Sequence, residues 1–319
     1  MLPLEAPSLA TIRLARERIA GSVVRTPLVR LETDAPGQGP WLKLECLQPT
    51  GSFKLRGAVN ALAQVPRAEL AQGVWTASAG NMAQGVAWEA RRLGVPCTVV
   101  MPDRAPEIKR AAVRRLGANV VAVPHADWWQ ALQAHAHPGM QGRFVHPVSD
   151  PAVIAGNATI GLELLEELPD VDTVLVPYGG GGLSCGIAAA VRAVRPQARV
   201  YACEVETAAP LAAALAAGGP QTIVHVPSFV DGIGGRGVLA EMWPLAHALL
   251  AGSRVVSLAA IAAAIRLLAE RVHVIAEGAG AAPVAAALDG AGEGRVACVV
   301  SGGNLDATAL ATILGGGVP

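Results

Sequence analysis

Leu47-Gln48-Pro49-Thr50-Gly51-Ser52-Phe53-Lys54-Leu55-Arg56-Gly57-Ala58 puts a lysine into a chain that has few charges of that kind: Lys43 and Lys109 are the only other lysines. Upstream, Trp41-Leu42-Lys43-Leu44-Glu45 alternates as a strand does, and Pro49, Thr50 and Gly51 then break it. Ser52 is placed to cap a helix predicted over residues 53–63, which sets Lys54 in the first turn beside Phe53. There the positive helix end and the apolar neighbour disfavour an ammonium, the condition under which an amine condenses with an aldehyde. A solvated surface lysine is the alternative, and this stretch alone does not exclude it.

Working outward, the pattern from residue 73 is strand, glycine-bearing turn, helix, repeated. Strands are predicted at 74–77, 97–101 and 119–123 and helices at 82–93 and 106–116, a small βαβαβ lobe with parallel strands. An N-terminal helix is predicted over residues 8–22, with Leu9, Ile12 and Ile19 on one side. After Asp150-Pro151 come a helix to residue 167, a strand at 173–176, a helix at 183–194, and strands at 199–205 and 295–300. The fold class is therefore α/β. Two lobes are expected, with a site in the crevice at the carboxyl ends of the strands.

At 319 residues the chain can bury a large core. With 52% hydrophobic but 3% aromatic residues and 36 glycines, that core is built from small aliphatic side chains packed on parallel strands. A net charge of zero without basic or acidic runs excludes nucleic acid and membrane surfaces as principal partners. The five cysteines form no CxxC pair and read as reduced core thiols of a cytoplasmic protein. The N-terminus carries an early acidic residue and helical periodicity, so no signal peptide is expected.

Val176-Pro177-Tyr178-Gly179-Gly180-Gly181-Gly182-Leu183 is the second informative segment. Four glycines between a buried strand and a helix let several backbone amides converge at the positive end of the helix, as a phosphate cradle requires. Close packing or a flexible turn is the plainer reading. Each glycine costs up to about 1 kcal/mol relative to alanine in ordered structure, which weighs against it. Ser301-Gly302-Gly303-Asn304 and Ser78-Ala79-Gly80-Asn81 also end strands in small, polar turns.

Together these segments resemble the fold type II pyridoxal-phosphate enzymes, in the serine/threonine dehydratase and serine racemase branch. Arg25-Thr26-Pro27-Leu28, His146-Pro147 and Ala155-Gly156-Asn157-Ala158-Thr159 extend the resemblance nearly end to end. It implies a tryptophan synthase β-like, two-lobed, three-layer architecture with parallel sheets, residues 1–68 and 151–319 forming the large cofactor lobe and 69–150 the small one. It further implies that Lys54 joins pyridoxal 5′-phosphate covalently beside Phe53. Gly179, Gly180, Gly181, Gly182 and Leu183 would hold the phosphate, Asn81 the ring's phenolic oxygen and Ser301 the pyridine nitrogen. Ser78, Ala79, Gly80, Asn81 and Met82 would bind the substrate carboxylate. The implied reaction is deamination of a small 3-hydroxy amino acid, L-threonine or L-serine, to a 2-keto acid and ammonia, by a cytoplasmic homodimer. Racemisation of serine and dehydration of 3-hydroxyaspartate or another 3-hydroxy amino acid are the alternatives.

Three departures from the pattern bear on this. Ala79 stands where the racemase branch has a serine, which removes a second base and disfavours racemisation. Met82 stands where most relatives have histidine and is expected to reshape the substrate pocket. Glu204 matches one ligand of a divalent-cation site found in some relatives, but Pro210 replaces the aspartate six residues on, so no metal is assigned. The chain stops shortly after Ser301, from which no C-terminal regulatory domain is expected. His135 and His137 are not expected to bind a metal, Glu277 either approaches the cofactor or caps the helix after it, and residues 231–235 either line the pocket or form a loop. Glu163, Glu166 and Glu167 read as a solvated helix face.

Overall fold

The computed structural model describes residues 4–34 and 37–319. Its strands are β1 (Leu28–Arg30), β2 (Trp41–Lys43), β3 (Val74–Ala77), β4 (Cys97–Pro102), β5 (Asn119–Val123), β6 (Arg143–Phe144), β7 (Thr173–Pro177), β8 (Arg199–Val205), β9 (Ser253–Val256) and β10 (Val296–Val299). They form two sheets, one in the order β1-β2-β10-β7-β8-β9 and the other β5-β4-β3-β6. Among the pairs of these strands only β1–β2 is antiparallel; the other strand pairs are parallel. Parallel strands need crossover helices that cover both faces. Accordingly β3 and β7 are buried along their whole length.

The edge strand β6 and the helix His125–Ala134 were not foreseen. β6 is only two residues long, too short for any periodicity to register. The N-terminal helix is Leu9–Ile19, shorter than expected, with Ile12 and Ile19 buried and Ser8 accepting from the Thr11 amide.

Helix Lys54–Leu62 lies at the seam between the sheets. Its Ala58, Ala61 and Leu62 share one apolar cluster with Met82, Val86 and Val99 of the smaller sheet's layer and with Val153 of helix Pro151–Glu167. Glycines let these helices approach closely. A Cβ on Gly57 would stand 2.7 Å from Val153 Cγ1, and one on Gly156 would stand 2.5 Å from the Arg56 carbonyl oxygen.

A buried ion network fixes the same helix from the other side. Arg56 donates to Glu45 through Nε (2.8 Å) and Nη2 (2.8 Å), and to Glu163 through Nη1 (2.6 Å) and Nη2 (2.9 Å). Lys43 lies 2.9 Å from Glu163 and donates to the Thr26 carbonyl at 2.6 Å. Burial disfavours the Arg56 guanidinium, but Glu45 and Glu163 outweigh it and its pKa is raised. Glu163 is therefore not part of a solvated face: it is 5% exposed, while Glu166 and Glu167 are exposed as expected. Its partner Arg56 is 107 residues away, so helical periodicity carried no sign of it.

All five cysteines are buried and unpaired. Among the described residues no helix is long and apolar enough to cross a membrane.

Candidate active site

Lys54 is the first residue of its helix, but Ser52 does not cap it. Phe53 occupies the cap position in helical conformation, and no side chain bonds to the helix terminus. The reason is tertiary: Ser52 bridges Gly302, and the Phe53 amide donates to the Ser301 carbonyl at 2.9 Å, so the chain is tied to the end of β10. The Ser52 hydroxyl is left buried without a partner.

The Lys54 ammonium lies 5.2 Å from the centre of the Phe53 ring and donates to the Pro147 carbonyl at 2.6 Å. Burial lowers its pKa to about 8, against a smaller opposing pull from Glu277. An amine so placed is partly neutral near physiological pH, as a nucleophile must be. Gly85 of helix Asn81–Leu93 passes over it, since a Cβ there would stand 3.3 Å from the Lys54 carbonyl.

The tetraglycine turn follows β7 and opens helix Gly182–Val194, whose cap residue Gly181 has φ +95° and provides no side-chain cap. The first amides of a helix have no partners within it, so they remain available to an anion. A Cβ on Gly180 would lie 2.5 Å from Val148 Cγ2, and one on Gly182 would lie 2.7 Å from the Val148 carbonyl oxygen. Glycine here is thus required by close approach, and the residue approached neighbours the acceptor of Lys54. Leu183 is buried in the core behind the turn, and Gly179 abuts Gly232 of the short helix Asp231–Ile233.

Ser78, Ala79, Gly80 and Asn81 are half-buried at the end of β3, and a Cβ on Gly80 would meet nothing within 4 Å, so the turn faces open space. Asn81 donates to Glu277 Oε1 at 2.7 Å and accepts from Asn304 Nδ2 at 2.8 Å. Glu277 stands at the cap position of helix Gly278–Leu288 but makes no capping bond with its side chain, which turns to Asn81 instead. Burial, reinforced by Asp231, raises its pKa to about 7. Lys109, from the smaller sheet's side, pairs with Asp231. Ser301 is buried at the end of β10.

Met82 departs from expectation. Its thioether is 1% exposed within the apolar cluster of the smaller sheet, so it is a packing residue and does not reshape a pocket. One position further along the helix than Asn81, it points to a different face.

Glu204 is also committed elsewhere. Its carboxylate accepts from the amides of Leu211 (2.8 Å) and Ala212 (2.8 Å) and from Ser253 Oγ (2.6 Å), satisfying the start of helix Pro210–Ala217. His135 ends its helix in left-handed conformation and stacks on His146 at 4.7 Å.

The lysine turn, the tetraglycine turn, Ser301 and Asn81 are therefore brought together by these bonds and close approaches. Asn304, Glu277 and residues 146–149 join them through bonds that no local pattern announces. A phosphate-bearing aldehyde fits this arrangement, with one uncapped helix terminus for the anion and one desolvated amine for the carbonyl.

The family model described as "Pyridoxal-phosphate dependent enzyme" matches residues 19–302. The L-threonine ammonia-lyase of Geobacter sulfurreducens is 42% identical over 312 residues, covering 95% of this chain and 77% of that protein. The catabolic L-threonine dehydratase of Escherichia coli K12 is 38% identical over 312 residues, covering 94% of each. Among solved structures, the T.th. threonine deaminase superposes with a TM-score of 0.83 at 36% identity, covering 94% of this chain and 99% of the other. Maize serine racemase gives 0.84 at 31%, covering 96% of each. By the match of the family model and the identity to these relatives, the chain belongs to the family of pyridoxal-phosphate dependent enzymes.

Proposed function

We propose that the chain is an ammonia-lyase that converts a small 3-hydroxy amino acid, L-threonine or L-serine, to a 2-keto acid and ammonia. Over the whole reaction the β-hydroxyl leaves as water, a water returns as the keto oxygen, and nitrogen leaves as ammonia. When bound, pyridoxal phosphate supplies the electron sink that makes the α-proton removable.

The chain's own residues do the rest. Lys54 would hold the cofactor, and its amine, with a pKa of about 8, suits the base that takes the α-proton near neutral pH. The amides of Gly179, Gly180, Gly181, Gly182 and Leu183 would hold the phosphate, Phe53 would pack beside the ring, and Asn81 would donate to its phenolic oxygen. Ser301 would meet the pyridine nitrogen with a hydroxyl, which would leave the ring less electron-withdrawing than a carboxylate would. The turn at Ser78, Ala79, Gly80, Asn81 and Met82 receives the substrate carboxylate on main-chain amides.

The observation that carries this reading is the placement of Lys54 on Pro147, whose neighbour Val148 packs on the glycine turn. That Ala79 has no acid or base side chain supports elimination over inversion. The similarity to threonine ammonia-lyases supports the same choice of substrate. Residues 1–68 and 151–319 act as the cofactor lobe and 69–150 as the smaller lobe, in a cytoplasmic homodimer suited to its unpaired thiols.

Borohydride reduction followed by peptide mass mapping should place the cofactor on Lys54, and keto acid should form from L-threonine and L-serine and vanish in Lys54→Ala. A label elsewhere, or rapid appearance of D-serine in place of keto acid, would overturn the proposal. Light scattering at twice the chain mass is the expected result for the dimer.

A further inference from the structure

We propose that His146 is the positioning residue that couples Lys54 to the tetraglycine turn, by gathering at one ring nitrogen the amides that fold residues 146–149 into the loop between them. The inference rests on the reading of Lys54 as the cofactor-bearing amine.

His146 Nδ1 lies 3.1 Å from the Val148 amide and 2.7 Å from the Ser149 amide, with Ser149 Oγ at 2.9 Å. A backbone N–H can only donate, so Nδ1 must present a lone pair to both. The ring is therefore neutral with its proton on Nε2, and protonating Nδ1 would break both amide bonds. The packing enforces this state. The ring is 4% exposed, stacked on His135 at 4.7 Å and edge-on to Phe144 at 5.9 Å. Burial, and then the neighbouring His135 and Lys54, push its pKa down to about 3.

The loop so folded has two products. Pro147 turns its carbonyl onto Lys54 Nζ at 2.6 Å. Val148 fills the space beside Gly180 and Gly182 that any side chain there would occupy. Both ends of the loop are anchored: the Val145 amide donates to the Trp75 carbonyl at 2.9 Å, and Asp150 accepts from the Ala152 amide at 2.8 Å. Between these anchors the His146 ring decides where the Pro147 carbonyl and the Val148 side chain point. An amine and an anion cradle contributed by separate segments are thus held in register by one imidazole.

The test compares two polar variants of the full-length protein. In His146→Asn the side-chain oxygen reaches the position of Nδ1; in His146→Gln the acceptor is displaced toward that of Nε2. Amide exchange at Val148 and Ser149 and the affinity of the cofactor-stripped chain for inorganic phosphate are measured for both. We expect His146→Asn to stay within about threefold of wild type. In His146→Gln exchange should speed up, and phosphate binding weaken, by about tenfold, the size of one lost hydrogen bond. If Asn and Gln behave alike, whether both resemble wild type or both are impaired, the proposal fails. Neither readout depends on where the cofactor attaches, so a borohydride label away from Lys54 would remove the functional reading without altering these results.

Discussion

Lys54 and Arg56 stand two residues apart on one helix, and the fold gives them opposite electrostatic surroundings. Arg56 is enclosed by Glu45 and Glu163 and is held charged. Lys54 faces a carbonyl, the Phe53 ring and the His146 side of the loop, and its ammonium is disfavoured. The first cation is held charged because its desolvation is offset by fixed carboxylates; the second is left partly neutral, and so suited to react, because its desolvation is not. A helix turns about 100° per residue, so a step of two swings a side chain from one side of the seam to the other.

Exchanging the two cations for an apolar residue gives the largest contrast. Arg56→Met should destabilise the protein by about 3–5 kcal/mol, because Glu45 and Glu163 would be left buried without a counter-charge. Lys54→Met should abolish keto-acid formation yet raise the stability of the cofactor-free chain at pH 7 by on the order of 1–2 kcal/mol, since a desolvated ammonium is removed. Denaturant melts of both variants measure this, and equal losses of stability would mean that the two cations do not differ in this way.

Gly180→Ala tests the second half of the site. With Val148 Cγ2 only 2.5 Å from the new Cβ, the change should cost about 1–3 kcal/mol by overpacking and weaken phosphate retention, whereas Gly80→Ala, which meets nothing, should do neither. Retained absorbance of the bound cofactor after dialysis against phosphate-free buffer separates the two.

A subtler probe is pH. Glu277 is raised from 4.5 to about 7, so the folded state binds its proton more tightly than the unfolded chain. Its contribution to stability is full below pH 4.5 and is lost as pH rises through 7. Lys54, lowered from 10.5 to about 8, acts in a different window: stability of the cofactor-free chain should climb between pH 8 and 10.5, where the unfolded chain binds the extra proton. Glu277→Gln should flatten the lower window, by about 1–3 kcal/mol at pH 7, and, by removing the carboxylate that holds the Lys54 pKa up, start the upper one at a lower pH.

The smallest effect belongs to the surface. Glu166→Gln loses exposed pairs with Arg16 and Arg25 and should cost under about 1 kcal/mol. Glu163→Gln, three residues earlier on the same helix, should cost several times more.

How much of this could be read in advance follows from the range of each cue. β5 at 119–123 and β8 at 199–205 stand where the sequence reading put them, since an apolar run bounded by turn residues reports its own local environment. The lysine turn, the glycine run and the Ser301 turn were legible for the same reason. Ser52 looked like a cap because the rule for caps considers only the next few residues, whereas its backbone pairs with Gly302, far along the chain. Met82 looked like a pocket residue because it stands where most relatives have histidine, beside Asn81; the helix instead directs its side chain into the apolar cluster of the smaller sheet while Asn81 bonds Glu277.

The sequence by itself therefore determined the alternation of strands and helices, the amine at position 54 and the glycine turn at 179–182, because each is a property of contiguous residues. Only the tertiary structure decided which charges are satisfied and which are left under strain of burial: Glu163 on Arg56, Glu204 on a helix terminus, Glu277 on Asn81, and Lys54 on the Pro147 carbonyl. The physical reason is that the state of a buried ionisable group depends on partners brought within a few ångströms by the fold, at sequence separations where no local periodicity survives.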